Sequence, residues 1–197
     1  MQTSSSPPLI ARGAWRPALT MAAVALLGCG FLYSASVASL GSLLFPHQAA
    51  GSILLRDGKP VASRWVAQPF ADARYFHPRP SAANYDPMAA AGSNQSLTNP
   101  DLIKTIDAQI TAVAAREGIA PSQVPADLAT RSGSGLDPHI SPAAAQVQVA
   151  RVADARGLTA AAVAALVERT TEAPLFGLLG QPRVNVVELN LALDALP

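Results

Sequence analysis

Residues 17–45 read PALTMAAVALLGCGFLYSASVASLGSLLF and contain no Asp, Glu, Lys, Arg or His. A transmembrane helix needs about 20 mostly apolar residues to cross ~30 Å of hydrocarbon, and this run is longer than that. The composition agrees, since 50% of the 197 residues are hydrophobic and 14% are charged. The run predicts a single membrane-spanning helix, because the sequence contains no second run of this kind.

The flanks of this run predict its orientation. Trp15 lies beside Arg12 and Arg16, and this grouping suits the interface between lipid and water. A short amino-terminal tail is easily kept in the cytoplasm, whereas a long carboxyl-terminal domain is translocated largely regardless of its charge. We therefore expect a cytoplasmic tail at 1–16, a span at 17–45 and one extracytoplasmic domain at 46–197.

Two processing routes compete with a retained anchor. The tripeptides SAS and VAS (34–39) place small residues before a signal-peptidase site, and LLGC (26–29) loosely resembles a lipoprotein signal. A signal-peptide apolar core is about 7 to 15 residues long, which is shorter than this run. The apolar sequence also continues well past Cys29, where a lipid-anchored protein would turn polar. We expect a retained helix, with cleavage or lipid anchoring at Cys29 as alternatives.

The span is rich in small residues, which let helices approach closely inside a membrane. They are Gly28, Gly30, Ser34, Ala35, Ala38 and Gly41. We expect them to form a face that packs against a helix of a neighbouring subunit.

The residues beyond the span suffice for about one domain. With 14 basic and 13 acidic residues, the chain has a formal net charge of +1. It has no basic stripe of the kind that binds nucleic acid. Cys29 is the only cysteine, so an intrachain disulfide is excluded.

Local patterns predict an α+β fold for this domain. GSILL (51–55) and SRWVAQPF (63–70) are expected to form a strand pair around an Asp57-Gly58 turn. The proline-rich stretch at 75–100 is expected to be irregular and ordered by its aromatic side chains. Four helices should follow, with N-caps at Asn99, Ser141, Thr159 and Asn185.

Finer features of these helices can also be predicted. The first should bury one apolar face up to Gly118, and the second should run from Pro142 to near Gly157. The last should carry a capping-box variant formed by Asn185 and Glu188.

SGSGLDPHIS (132–141) places serine, aspartate and histidine close together. A nucleophile elbow requires G-x-S-x-G, and the glycines beside Ser134 are in a different register. Gly133 and Gly135 allow a tight bend, and the Asp137 carboxylate can accept backbone N–H groups of the turn or of the following helix start. We interpret the stretch as a turn rather than a catalytic cluster of His139 with Ser134 or Ser141.

Other catalytic or nucleotide-binding patterns do not occur in the sequence. It contains no G-x-x-x-x-G-K-[ST], no G-x-G-x-x-G after a strand and no D-K-T-G phosphorylation motif. His47 and His77 are isolated, and no H-E-x-x-H or C-x-x-C spacing is present. One span followed by one nearly neutral domain is more typical of an accessory subunit than of an enzyme.

Several motifs in order resemble the C subunits of the Kdp potassium-transporting P-type ATPases. They are YFHPRPSA (75–82), GSN (92–94), VPADL (124–128), SGSGLDPHIS (132–141), AAAQVQVARVADARGL (143–158) and RVNVVELNLALDAL (183–196). The resemblance extends from the span to the last residues. The chain departs from it at Ala62, Trp65 and Ala67, where the family tends to have glycines and an aliphatic residue, and at Gln181, where glutamate is frequent.

The resemblance implies a non-catalytic subunit of an ATP-driven, high-affinity potassium uptake complex in the bacterial inner membrane. Its partners would be a channel-like potassium-translocating subunit and a P-type ATPase subunit phosphorylated on aspartate. It would be required for assembly, lie at the potassium entrance and raise the ATP affinity of the ATPase subunit. ATP and potassium would be handled by the complex, with no cofactor held by this chain. The alternative is a membrane- or lipid-anchored binding module without enzymatic activity.

The resemblance supplies no catalytic residue and no metal ligand. Candidate contact or turn residues are Arg79, Ser81, Asn94, Asp137, His139, Gln146, Asn185 and Asn190. For each we expect a turn or a cap inside the domain more than a direct contact with potassium or a partner.

Overall fold

A computed structural model describes residues 13–196, so most of the predicted tail, including Arg12, lies outside the described residues. Contacts divide the chain into two units, with the boundary between Gly51 and Ser52.

The first unit contains the apolar helix. α1 (Trp15–Ala25) continues through a π-helical stretch (Leu26–Tyr33) into α2 (Ser34–Leu44), and the short α3 (Pro46–Ala49) follows. The continuous helix Trp15–Leu44 has 30 residues, a mean hydropathy of 1.8 and no buried share, so it is long and apolar enough to cross a membrane. Its side chains therefore do not form the core of a soluble domain.

The second unit opens with a hairpin. β1 (Ile53–Arg56) pairs antiparallel with β2 (Lys59–Ser63). Asp57 and Gly58 have φ values of 51° and 74°, as a tight two-residue hairpin turn requires.

The hairpin was predicted correctly, but the second strand was placed wrongly at 63–70. The two-residue turn makes pairing start at Lys59, and Pro60 is accommodated by a register shift between Leu54 and Leu55. The strand ends at Ser63. Beyond it, the backbone pairs elsewhere, with Ala67 N donating to Leu136 O at 2.8 Å.

An irregular segment at 64–99 leads to the first long helix. It contains one 3₁₀ turn (Pro87–Ala89), and Phe76 within it is fully buried. α4 (Pro100–Glu117) begins with an Asn99 cap and ends at Gly118, whose φ is 66°. The predicted apolar face of this helix is buried near its carboxyl end, since Val113 is fully buried but Ile103 is 50% exposed.

Short elements follow α4. They are a 3₁₀ turn (Pro121–Gln123), α5 (Ala126–Ala129), β3 (His139–Ile140), α6 (Pro142–Gln146), α7 (Val149–Arg156), α8 (Ala160–Thr170), β4 (Thr171–Glu172), β5 (Arg183–Asn185) and α9 (Val186–Asp194). The predicted caps at Ser141, Thr159 and Asn185 each accept a backbone N–H of their helix.

The predicted single helix from Pro142 to Gly157 is wrong in one respect, because it breaks between α6 and α7. The Gln148 side chain donates to Ala144 O at 3.1 Å, at the carbonyl to which Gln148 N would donate in a continuous helix. Gln148 N donates instead to Ala145 O at 3.0 Å, which tightens the chain into a turn.

A three-stranded antiparallel sheet, ordered β3-β5-β4, was not predicted. Its strands have two or three residues, too few for an alternating pattern to be recognised in a sequence. The core of the second unit is formed by side chains from this sheet, from helices on both sides of it in the sequence and from the irregular segment. Its largest fully buried apolar members are Phe76, Val113, Leu128, Val152, Val163, Val184, Val186, Leu189 and Leu193.

Candidate functional site

The SGSGLDPHIS stretch forms a turn closed by Asp137. Its Oδ1 accepts the backbone N–H of His139 at 3.0 Å and lies 3.0 Å from His139 Nδ1. Burial raises the pKa of Asp137, but the bonds from His139 and the nearby Arg79 outweigh it, so the pKa of this carboxyl lies below its ordinary value. Asp137 is therefore ionised and anchors the turn, as the sequence predicted.

Neither Ser134 nor Ser141 is placed as a nucleophile. Ser141 Oγ accepts Ala144 N at 3.0 Å and lies 3.2 Å from Asp127 Oδ1, while Ser134 Oγ accepts Leu136 N. Within the described chain, His139 Nε2 is buried without a hydrogen-bond partner. The arrangement therefore lacks the serine–histidine bond that nucleophilic catalysis needs.

Arg79 and Ser81 tie the irregular segment to this turn. Ser81 Oγ donates to Gly135 O at 2.6 Å and accepts Ala83 N and Tyr85 N, each at 3.0 Å. Arg79 Nη1 lies 3.7 Å from Asp137 Oδ2. A side chain at Gly135 would meet Ala91 O at 2.8 Å, so the two loops approach too closely for any other residue there.

Two buried amides hold the backbone of residues 76 and 77. Asn190 Oδ1 accepts Phe76 N at 2.8 Å, and its Nδ2 donates to Phe76 O at 2.9 Å. Gln148 does the same one residue later, accepting His77 N at 2.8 Å and donating to His77 O at 3.1 Å. We call Asn190 and Gln148 the amide clamp. Gln148 was missed by the sequence analysis, because buried and exposed glutamines look alike in a sequence.

Charged side chains surround the clamp. Arg151 Nε lies 2.8 Å from the fully buried Glu117 Oε2, and its Nη2 donates to Gln148 Oε1 at 2.9 Å. Arg116 Nε lies 2.6 Å from the other carboxylate oxygen of Glu117. Burial and the cations of Arg116 and Arg151 lower the pKa of His77 to about 4, so this imidazole is neutral at neutral pH.

Asn185 joins the sheet to the segment after the hairpin. It is 2% exposed, its Oδ1 caps α9, and its Nδ2 donates to Arg64 O at 2.8 Å. The carboxylate of Glu188 lies 3.2 Å from Arg64 Nε. The Asn185 cap was therefore predicted correctly, but the predicted part of Glu188 in a capping box was wrong, since its carboxylate pairs with Arg64.

Asn94 and Gln146 are the exposed members of the predicted set. Asn94 has a φ of 50°, which asparagine tolerates better than most residues. Gln146 lines an open, mostly apolar groove of about 690 Å³ between α6 and α8, together with Pro142, Ala165 and Pro174. The structure does not bring these two residues into the Asp137–His139 turn.

The predicted helix-packing residues lie along the apolar helix. Gly28 and Gly30 fall in the π-helical stretch, and Ser34, Ala38 and Gly41 recur at spacings that share one face of α2. A Cβ added at Gly28, Gly30 or Gly41 would meet no atom within 4 Å in the described chain. The surface at these three positions is therefore open.

Most of the candidate residues thus hydrogen-bond to backbone groups of the second unit. Within residues 13–196, no group of three or more His, Cys, Asp or Glu side chains could hold a metal ion. The turn, the clamp and the Ser81 bonds together fix the irregular segment, which carries the YFHPRPSA motif. Such a surface can present a fixed shape to a partner protein.

Comparisons with known proteins agree with the resemblance in the motifs. A sequence model described as "KdpC: K+-transporting ATPase, c chain" matches residues 15–195. The potassium-transporting ATPase KdpC subunit of Xanthomonas oryzae pv. oryzae is 59% identical over 191 residues, covering 97% of this chain and 91% of that protein.

Relatives of lower identity also match most of the chain. The KdpC subunit of Methylococcus capsulatus is 51% identical over 185 residues, covering 92% of this chain and 97% of that protein. The one from Shewanella putrefaciens is 50% identical over 171 residues, covering 87% and 86%. Because both the family match and these identities extend over most of its length, the chain belongs to the KdpC family, the c chain of K+-transporting ATPases.

Proposed function

We propose that this chain is a non-catalytic subunit that stabilises the assembly of an ATP-driven potassium uptake complex in the bacterial inner membrane. The observation that carries the proposal is that the candidate polar side chains of this chain hydrogen-bond to its own backbone. Asp137, Ser81, Asn190 and Asn185 are all engaged in holding backbone, which supports a protein that presents a shape. Family membership supplies the transport system to which such a subunit would belong.

The proposed partners are a channel-like potassium-translocating subunit and a P-type ATPase subunit. The open surface at Gly30 and Gly41 offers one attachment, and the second unit of the chain offers another. Two weak attachments on one chain act at a high effective concentration, which favours a stable complex.

The proposed topology has the amino terminus in the cytoplasm and the second unit outside, at the potassium entrance of the translocating subunit. The short arginine-bearing leader and the long, nearly neutral remainder of the chain support this orientation. The test is a cysteine at the exposed position Ala120 in a Cys29→Ser background, exposed to an impermeant thiol reagent. Labelling from the extracytoplasmic side is expected, and labelling only from the cytoplasmic side would overturn the orientation.

We also propose that the subunit raises the ATP affinity of the ATPase subunit. With the second unit outside, this effect has to pass through the partner subunits, as a coupling between distant sites. The dependence of phosphate release on ATP concentration, with and without this chain, measures it. An unchanged half-saturating ATP concentration would contradict this part of the proposal.

Reconstitution tests the accessory role itself. Vesicles containing the partner subunits are compared with and without the full chain, and potassium-stimulated phosphate release is measured in each. Loss of the stimulation without the chain is expected. Full activity of the partners in the absence of any part of this chain would remove the accessory role.

The alternative, a lipid-anchored binding module, requires Cys29 to become the first residue. Cys29 lies in the middle of the continuous helix Trp15–Leu44, so cleavage there would discard half of the helix. The mass of the intact chain purified from membranes separates the two cases. A mass lacking residues 1–28 and carrying acyl chains would support the module.

A further inference from the structure

One turn of the second unit exposes a cluster of large apolar side chains. Residues 173–182 read APLFGLLGQP and contain no ionisable residue. Phe176 and Leu178 are 84% and 86% exposed, and Leu175 and Leu179 are 61% and 62% exposed. We call residues 175–179 the apolar tip.

The apolar tip is held in place by backbone bonds. Leu175 N donates to Leu179 O at 2.9 Å, and Leu179 N donates to Leu175 O at 3.0 Å. Phe176 and Gly177 take up the tight bend with φ values of 54° and 73°. The structure therefore displays Phe176 and Leu178 to the surroundings at a fixed turn, and an exposed apolar cluster of this kind marks an interaction site.

The base of the tip lies beside the residue at which the chain from the membrane helix enters the second unit. Arg64 N donates to Ser52 O at 3.0 Å, and Arg64 Nη2 lies 2.8 Å from Glu172 Oε1, three residues before Leu175. On the other side of the tip, Arg183 Nε lies 2.8 Å from Glu172 Oε2. Ser52 and the base of the tip are thus connected through a single residue, Arg64.

The connection to the membrane helix is short. Residues 45–51 separate the end of that helix at Leu44 from Ser52. Even fully extended, this connection reaches only ~25 Å at about 3.3–3.6 Å per residue. With the helix in a bilayer, a connection of this length keeps Ser52 within about 25 Å of the end of that helix, so the base of the tip can reach the lipid surface at a high effective concentration.

We propose that the apolar tip inserts into the bilayer crossed by the chain's own helix, with Phe176 and Leu178 at the boundary between headgroups and acyl chains. Transfer of uncharged apolar side chains from water to this boundary lowers the free energy of the system. Trp65 supports the same placement, since it is 47% exposed, stacks on Arg64 at 4.9 Å and donates to Ser52 Oγ. Tryptophan favours the headgroup level of a membrane. The insertion would orient the second unit through lipid and does not depend on the proposed transport role.

A depth measurement on the full chain tests this proposal. A spin label is attached at Phe176→Cys or Leu178→Cys in a Cys29→Ser background, and the chain is placed in nanodiscs of phosphatidylethanolamine and phosphatidylglycerol. Leu97→Cys, at a position that is 87% exposed among polar neighbours, is the matched control. Collision rates with oxygen and with a water-soluble nickel chelate give the depth of each label.

The ratio of oxygen to nickel collisions is expected to be several-fold higher at 176 and 178 than at 97. Adding Leu178→Glu should lower the ratio at 176 to that of the control without changing the melting temperature, because the native leucine is exposed. Equal ratios at all three positions would overturn the proposal. Protection of 176 only when the partner subunits are present would also overturn it, and would identify the tip as a protein-docking surface.

Discussion

The stabilising effect of the amide clamp can be tested by replacing Gln148, because Gln146 is a nearby glutamine that serves as a matched control. The two glutamines are only two residues apart, but Gln148 is fully buried and makes four side-chain hydrogen bonds, whereas Gln146 is exposed. Replacing Gln148 by alanine leaves the N–H and C=O of His77 without partners. Each partly buried polar group left unpaired costs ~1–3 kcal/mol, so the total is about 3 kcal/mol after partial rescue by water.

The expected readout is the melting temperature of the full-length chain in detergent, followed by far-ultraviolet circular dichroism. At roughly 2–4 °C per kcal/mol for a protein of this size, Gln148→Ala should lower the melting temperature by roughly 6–12 °C. Gln146→Ala should stay within ~0.5 kcal/mol of the wild type, as surface substitutions usually do.

A third variant separates the clamp from simple loss of side-chain volume. Gln148→Glu keeps the side-chain volume, but its second carboxylate oxygen would face His77 O and Ala144 O, to which the amide donates, so its melting temperature should fall at least as far as that of Gln148→Ala. If Gln148→Ala and Gln146→Ala melted at the same temperature, the clamp would not be a stabilising feature, and the interpretation of residues 76 and 77 as held backbone would be wrong.

Three further predictions concern pH, the turn and the span. Because the pKa of His77 is lowered from 6.5 to about 4, the unfolded chain binds a proton in this range that the folded chain does not, and stability should fall as the pH drops from 6.5 to 4. After allowance for solvent screening, the free energy of unfolding should fall by about 1–2 kcal/mol over this range. Urea denaturation at several pH values measures this loss. The loss should be absent in His77→Gln and should persist in a variant of the exposed His47. Asp137→Ala should lower the free energy of unfolding by on the order of 1 kcal/mol, because the turn loses its hydrogen-bond acceptor, while His139→Ala should leave the complex active. An unchanged melting temperature with lost activity in Asp137→Ala would instead indicate a functional contact. Gly30→Leu with Gly41→Leu should release the subunit from its partners in detergent without changing the melting temperature of the second unit, and unchanged co-purification would remove the packing role of the span.

Features encoded by neighbouring residues could be predicted from the sequence. The caps at Asn99, Ser141 and Thr159 were located correctly, because each cap and its helix start lie within four residues. The Asp57-Gly58 hairpin and the apolar helix were found for the same reason, since a turn dipeptide and a continuous apolar run are local signals.

Features that depend on distant partners could not be predicted. The strand β5 pairs with β3 and β4 over two or three residues, which leaves no periodic pattern to read. The break at Gln148 arises from a side chain that takes a helix carbonyl while holding a segment far away in the sequence. Nor does the sequence alone show that Arg64 contacts both Ser52 and Glu172, because none of the three residues lies in a local pattern that indicates a partner.

The amide clamp also bears on how this protein can vary between species. Asn190 and Gln148 bind main-chain atoms of residues 76 and 77, so they hold the path of the segment whatever side chain position 77 carries. Substitutions of His77 should therefore be tolerated in the fold, with proline as the exception because it lacks the N–H that Gln148 accepts. Selection can then change the side chains that this segment presents to its surroundings while its backbone geometry is retained.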